Sequence, residues 1–212
     1  VAAGLVVLAF SGCAPPAPTQ TIALGAVLLD EEFDQDTRWQ SYRHPEQRVD
    51  FRVESGAYRA QAWDGGFMWA LYDGAQHDDV VIQVDTEQVS DDRNNAYGVM
   101  CRASPTDNGD GYYFLISGDG YYTIRAGTRD GVRHIIPWTE TEAVQQGRSI
   151  NRLRIACIAD YLALWVNGIF IAETRDSRFR RGFAALTAAA PEGVTVDIRF
   201  DGLRIWEGQF AP

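Results

Sequence analysis

The sequence predicts an all-β protein, an antiparallel two-sheet β-sandwich of about 12 to 13 strands. Three observations carry that prediction. Apolar and polar residues alternate with a period of two in "DVVIQVDTE" (79–87), "NRLRIACIA" (151–159) and "VTVDIRF" (194–200). The stretch "LWVNGIFIAE" sets Asn167-Gly168 between two apolar runs, a strong hairpin signal because both turn residues need φ > 0. Helical periodicity is missing: only 141–147 and 175–182 could hold a helical turn, too little for an α/β fold.

At the N-terminus, residues 1–10 read "VAAGLVVLAF", followed by Ser11, Gly12 and Cys13. An apolar block, two small residues and a cysteine resemble a bacterial lipobox. The resemblance implies cleavage before Cys13 and a diacylglycerol on its thiol. Acyl chains hold a soluble domain on a membrane at roughly 0.8 kcal/mol per buried methylene. Residues 1–12 are then a signal peptide or apolar N-terminus. Residues 13–26, with "APPAPTQT", are the lipidated cysteine and a stiff Pro-rich spacer, and 27–208 are the sandwich. The protein is expected to be exported and membrane-anchored, facing the periplasm or the cell exterior. The alternatives are an uncleaved short anchor, or an apolar terminus with an incidental cysteine. No apolar run reaches the roughly 18 to 20 residues of a spanning helix.

Within the body, Val80, Ile82 and Val84 share the core-facing side of 79–87. Between residues 96 and 126 the same alternation turns Val99, Cys101, Tyr112, Phe114, Ile116, Ile124 and Ala126 inward. It turns Gly98, Met100, Arg102, Tyr113, Leu115, Ser117, Tyr121, Thr123 and Arg125 outward. Leu153, Ile155 and Cys157 face inward on 151–159, as do Val194, Val196, Ile198 and Phe200 on 194–200. Ser55-Gly56, Asp119-Gly120 and Asp130-Gly131 punctuate other strand pairs.

The stretches "VLLDEEFDQDTRW", "YGVMCRAS…DGYYFLISGDGYYTI", "NRLRIACIADYLALWVNGIFIAETRD" and "VDIRFDGLRI" resemble the concanavalin A-like, laminin G-like jelly roll of bacterial cell-surface proteins. A looser similarity extends to the 3-keto-disaccharide hydrolase domain. The resemblance implies that the first and last strands lie side by side, bringing "EEFD" next to "RFDGL". It specifies fold well and function poorly.

Chemistry is sparser. Hydrophobic residues make up 46% of the chain, the formal charge is −10 and the pI is about 4.7. That composition suits a globular domain, and that charge argues against nucleic acid as a partner. Cys101 and Cys157 share the core-facing side of their strands. A disulfide between them would close a loop of about 55 residues and contribute roughly 3 to 4 kcal/mol; the alternative is two buried thiols. Laminarinase-type enzymes of this fold carry Glu, Asp and Glu on alternate strand positions, and "VDTEQ" (84–88) and "WTETE" (138–142) are the nearest approaches. His44, His77 and His134 are scattered, and no GxSxG, P-loop or HExxH motif occurs. The reading leans away from an enzyme and assigns no cofactor. Asp107, Asn108 and Asp110 in "DNGDG" offer hard oxygen ligands for calcium but lack the rest of an EF-hand loop, so a plain turn competes.

The outward residues Arg102, Tyr113, Tyr121 and Arg125, edged by Trp69, form the candidate ligand site, which would suit a protein partner equally; the alternative is a parity off by one, which buries half of these aromatics. Aromatic rings pack against the apolar side of a pyranose, and guanidinium groups bind hydroxyls or carboxylates. The expected function is a non-catalytic, lipid-anchored envelope domain that recognises glycan on its concave sheet. Two alternatives stay open: an accessory subunit of a larger membrane protein complex, and a glycoside hydrolase acting on modified sugars.

Overall fold

A computed structural model describes residues 16–35, 38–72, 74–104, 106 and 109–212. Fifteen strands occur among the described residues. The first five are β1 (Ile22–Glu31), β2 (Tyr42–His44), β3 (Val49–Val53), β4 (Tyr58–Trp63) and β5 (Phe67–Leu71). Then come β6 (Val80–Gln88), β7 (Ala96–Ala103), β8 (Gly111–Ser117), β9 (Tyr121–Thr128) and β10 (Gly131–Glu140). The last five are β11 (Ile150–Ile158), β12 (Tyr161–Val166), β13 (Ile169–Arg175), β14 (Phe183–Ala189) and β15 (Thr195–Phe210). A 3₁₀ turn at Pro45–Gln47 is the one helical element among them, and neither 141–147 nor 175–182 is helical.

All pairings are antiparallel and build two sheets. Nine strands form one, in the order β13-β12-β11-β6-β15-β4-β3-β2, with β1 also on β15; six form the other, in the order β10-β9-β8-β7-β14-β5. This is the expected two-sheet sandwich. The chain ends pair as foreseen, with Asp30 opposite Arg204 and Glu31 opposite Leu203. The first strand starts at Ile22, inside the stretch read as spacer (13–26), because β15 runs on to Phe210 and offers it a partner. Cys13 lies outside the described residues.

The core sits between the sheets. Val80, Ile82, Val84, Leu153, Ile155, Val196, Ile198 and Phe200 enter it from the larger sheet; Val99, Tyr112, Phe114, Ile116, Ile124 and Ala126 enter from the smaller. Each belongs to the inward set that the alternation assigns. β15 keeps its inward face along its length only because of a bulge. The register slips between Asp201 and Arg204, and Gly202 takes φ 56°, so that Leu203 and Ile205 follow Phe200 into the core. A disulfide joins Cys101 on β7 to Cys157 on β11, bonding the two sheets covalently through the core.

Candidate functional site

The outer faces of the two sheets differ. On the larger sheet, arginines and carboxylates alternate across neighbouring strands. Arg52 pairs with Asp50 and with Glu54 at 2.8 Å. Arg59 reaches Glu54 at 2.9 Å and Asp197 at 2.6 Å, Arg152 reaches Asp85 at 2.7 Å, and Arg204 reaches Asp30 at 2.7 Å. The other half of that face carries an apolar cluster that includes Trp165, Phe170, Trp206 and Phe210.

The smaller sheet presents a trough. Register sets Thr123, Leu115, Gly98, Thr187 and Trp69 in one row across β9, β8, β7, β14 and β5. Beside it, Ser117 stands opposite Tyr121, and Ala96, Ala189 and Phe67 line up across the next three strands. Small residues therefore floor the middle, and aromatic side chains rise at both margins. Gly98 keeps the floor flat, since a Cβ there would lie 2.1 Å from the Phe114 carbonyl oxygen.

One end of the trough deepens into a cleft of about 410 Å³. Tyr121, Arg125 and Trp138 form one wall, Ala96, Ser117 and Ala189 the floor, and Asn95, Asp119 and Pro191 the rim. The rim is fixed by its own hydrogen bonds. The Gly118 N–H donates to Asn95 Oδ1 at 2.9 Å, Asn95 Nδ2 donates to the Asp92 carbonyl at 2.8 Å, and Ser117 Oγ donates to the Arg93 carbonyl at 3.1 Å. The cleft is thus shaped before any ligand arrives.

Two polar atoms of the lining are buried and lack a hydrogen-bond partner: Arg125 Nε and Asp119 Oδ1. The Arg125 guanidinium lies 5.0 Å from the Trp138 ring centroid, a cation–π contact that holds its plane in place. Burial pushes its pKa down, and no carboxylate raises it back. It stays protonated all the same, because a guanidinium does not lose its proton in proteins. Beside it, burial and the Arg125 cation lower the His134 pKa, which leaves that imidazole neutral at pH 7. Unpartnered buried polar atoms cost stability, typically about 1 to 3 kcal/mol each. Both atoms are closed to solvent, while the rest of each side chain lines the cleft.

The structure brings Tyr113, Tyr121, Arg125 and Trp69 to one face, as the alternation anticipates. Tyr121 and Arg125 line the cleft itself. Tyr113 points outward but is only 1% exposed. Its hydroxyl donates to the Gly109 carbonyl at 2.7 Å, and Phe67 packs on its ring, so it supports the face from beneath. Arg102 is a correction. A register shift in β7 and φ 54° at Arg102 hand its place on the face to Ala103. The guanidinium is buried instead, donating to the carbonyls of Asp78, Ala159 and Phe179 and to Asp79 Oδ1. It ties loops together and has nothing left for a ligand.

Trp138 and Asp119 escaped the sequence reading. "WTETE" reads as a loop, yet Trp138 lies in β10, where two register shifts flank Ile136, the second spanning Pro137 and Trp138, and hide the alternation. Asp119 was visible only as half of a turn signal. Of the calcium candidates, Asp107 and Asn108 lie outside the described residues, and Asp110 sits just ahead of β8 with its carbonyl accepting from Ser104 N–H. No cluster of three or more His, Cys, Asp or Glu suited to a metal occurs among the described residues. No helix among them is long and apolar enough to cross a membrane.

Fold and cleft together define a class, the concanavalin-like jelly-roll β-sandwich with an open trough on its smaller sheet. The sequence matches no established family profile and no curated protein. Solved structures do match. The carbohydrate-binding module CBM66 from Bacillus subtilis superposes with a TM-score of 0.66 at 14% identity, over 81% of this chain and 97% of that one. A protein of unknown function with a galectin-like fold, also from Bacillus subtilis, gives 0.63 at 11% identity over 89% and 99%. SCLam, a non-specific endo-β-1,3(4)-glucanase of family GH16, gives 0.58 at 11% identity over 92% and 94%. At such identities the likeness concerns the fold.

Proposed function

We propose that this protein is a non-catalytic carbohydrate-binding domain, exported and anchored through Cys13, that holds a glycan in the cleft of its smaller sheet. The observation that carries the reading is the lining of the cleft, where Arg125, which has no ion-pair partner within the fold, stands with Tyr121, Trp138 and Asp119. Sugars supply what such a surface lacks: hydroxyls that both donate and accept, on a ring with an apolar side for aromatic contact. Structural neighbours that include a carbohydrate-binding module and a glucanase support the class of ligand. The inter-sheet disulfide supports export, since such bonds persist in oxidising compartments. Binding is favoured over hydrolysis because Asp119 is the one carboxylate among the described lining residues, and two-carboxylate glycoside hydrolysis needs a pair.

The test is a glycan array probed with the wild-type chain and with W138A and Y121A. Retention of a defined glycan by the wild type, weakened at least tenfold in both variants, supports the reading. Failure to retain any glycan sinks it. The second reading is an accessory subunit. The half-buried Trp165, Trp206 and Phe210 on the opposite sheet favour it, and co-purification of a stoichiometric partner from native membranes would establish it.

A further inference from the structure

We propose, resting on the glycan-site reading above, that the ligand is an acidic sugar and that Arg125 binds its carboxylate. Among the described residues, twelve arginines have a carboxylate within ion-pair distance. Those without one are exposed, save Arg125 and Arg154. Arg154 lies 5.9 Å from the Trp165 ring centroid on the larger sheet, and none of its side-chain atoms is left buried without a partner. Arg125 alone combines a half-buried guanidinium, an orphaned Nε and a place in a cleft. In a chain of net charge −10 there is no shortage of carboxylates to neutralise it, so the cleft leaves that cation open to a partner from outside.

The chemistry of the partner follows from what the cleft holds. A guanidinium presents a planar fork that a carboxylate matches with two parallel hydrogen bonds. The Asp119 carboxylate at the rim accepts only, so a ligand that meets it brings a hydroxyl or N–H donor. One negative group together with hydroxyls on an adjoining ring describes a uronic or ulosonic acid residue. A sulfated or phosphorylated polymer fits less well. The chain's net negative field repels a dense polyanion, and Asp119 opposes a second charge close by.

The experiment measures binding of the full chain to a panel of uronic-acid oligosaccharides, each beside its methyl-esterified counterpart, with wild type, R125Q and R125K. Wild type is expected to prefer an acid to its ester at least tenfold. R125Q should erase that preference, lowering affinity for the acid at least tenfold more than affinity for the ester. R125K, which keeps the charge and loses the fork, should fall between them and also serves if R125Q does not fold. Equal binding of acid and ester by the wild type, or a preference that survives in R125Q, overturns the acidic-sugar proposal and leaves the glycan site standing. Failure of every acid and every ester to bind, with a neutral glycan still retained on the array, overturns the acidic-sugar proposal alone; failure there as well overturns both.

Discussion

The outer faces of both sheets set an arginine beside a tryptophan ring, and they differ in how their charges are paired. On the larger sheet Arg59 lies between Glu54 and Asp197, and Asp197 also accepts from Gln61 at 3.0 Å. The arginines of that network each meet a carboxylate within the fold. On the smaller sheet Arg125 has an aromatic ring under it and no acceptor at Nε. Paired charges contribute to holding strands in register, and they offer a ligand little. An unpaired, half-buried charge destabilises the free protein slightly, and that penalty is recovered when a ligand completes it. The contrast sets a face whose charges are paired within the fold against the face proposed for recognition.

Four perturbations would break or sharpen that contrast. The largest removes what both faces share: C101A/C157A should lower the unfolding free energy by about 4 kcal/mol in a denaturant titration. Next, R59A strips the nearly buried Asp197 of its cation and should cost about 2 kcal/mol, while glycan affinity stays within twofold. W138A should invert that pattern, with a stability loss of about 1 kcal/mol and at least a tenfold loss of glycan affinity by calorimetry. If R59A weakened the glycan and W138A did not, the assignment of roles to the two faces would be reversed.

The smallest effect is one of pH. Hydrogen bonds from Arg59 and then Arg52 hold the Glu54 carboxyl below its ordinary value of 4.5. Its contribution to stability is therefore full above about pH 4.5 and is lost as the pH falls through the lowered value. Melting temperature measured from pH 6 to pH 3 should drop less steeply in E54Q than in the wild type. Glycan affinity has no reason to follow Glu54.

Much of the frame was legible in the sequence because a half-buried strand writes its faces with a period of two. That period put Cys101 and Cys157 on the same inner surface, and Asn167-Gly168 closes the β12–β13 hairpin with φ 53° and 80°. Irregularities are where the reading failed. The slip at Arg102 carries a guanidinium off the face that simple alternation assigns to it. β10 slips twice around Ile136, which hid Trp138. β1 slips twice as well, between Leu24 and Val27 and between Val27 and Leu29, so its apolar run shows no clean alternation. Together with the three-residue β2, such elements account for the larger number of strands in the structure. The cleft was half legible for the same reason. Tyr121 and Arg125 sit on a regular strand, whereas Asp119 and Trp138 sit where regularity lapses.

The inter-sheet disulfide also decides how the domain responds to force. In the arrangement proposed above, a ligand held by Tyr121, Arg125 and Trp138 would load β9 and β10 and through β8 reach β7, while a tether on the N-terminal side of Ile22 would load β1. Between them the path runs from β7 across the Cys101–Cys157 bond to β11, then through β6 and β15 to β1. Inside the larger sheet the load crosses ladders of hydrogen bonds. A pull directed back along β1 strains the β1–β15 ladder in shear, with its bonds resisting together. Between the sheets side-chain packing, the connecting loops and hydrogen bonds such as Arg102 to the Ala159 carbonyl resist separation, and a covalent bond also spans the gap. Tension between glycan and tether would stretch this sandwich without peeling its layers apart.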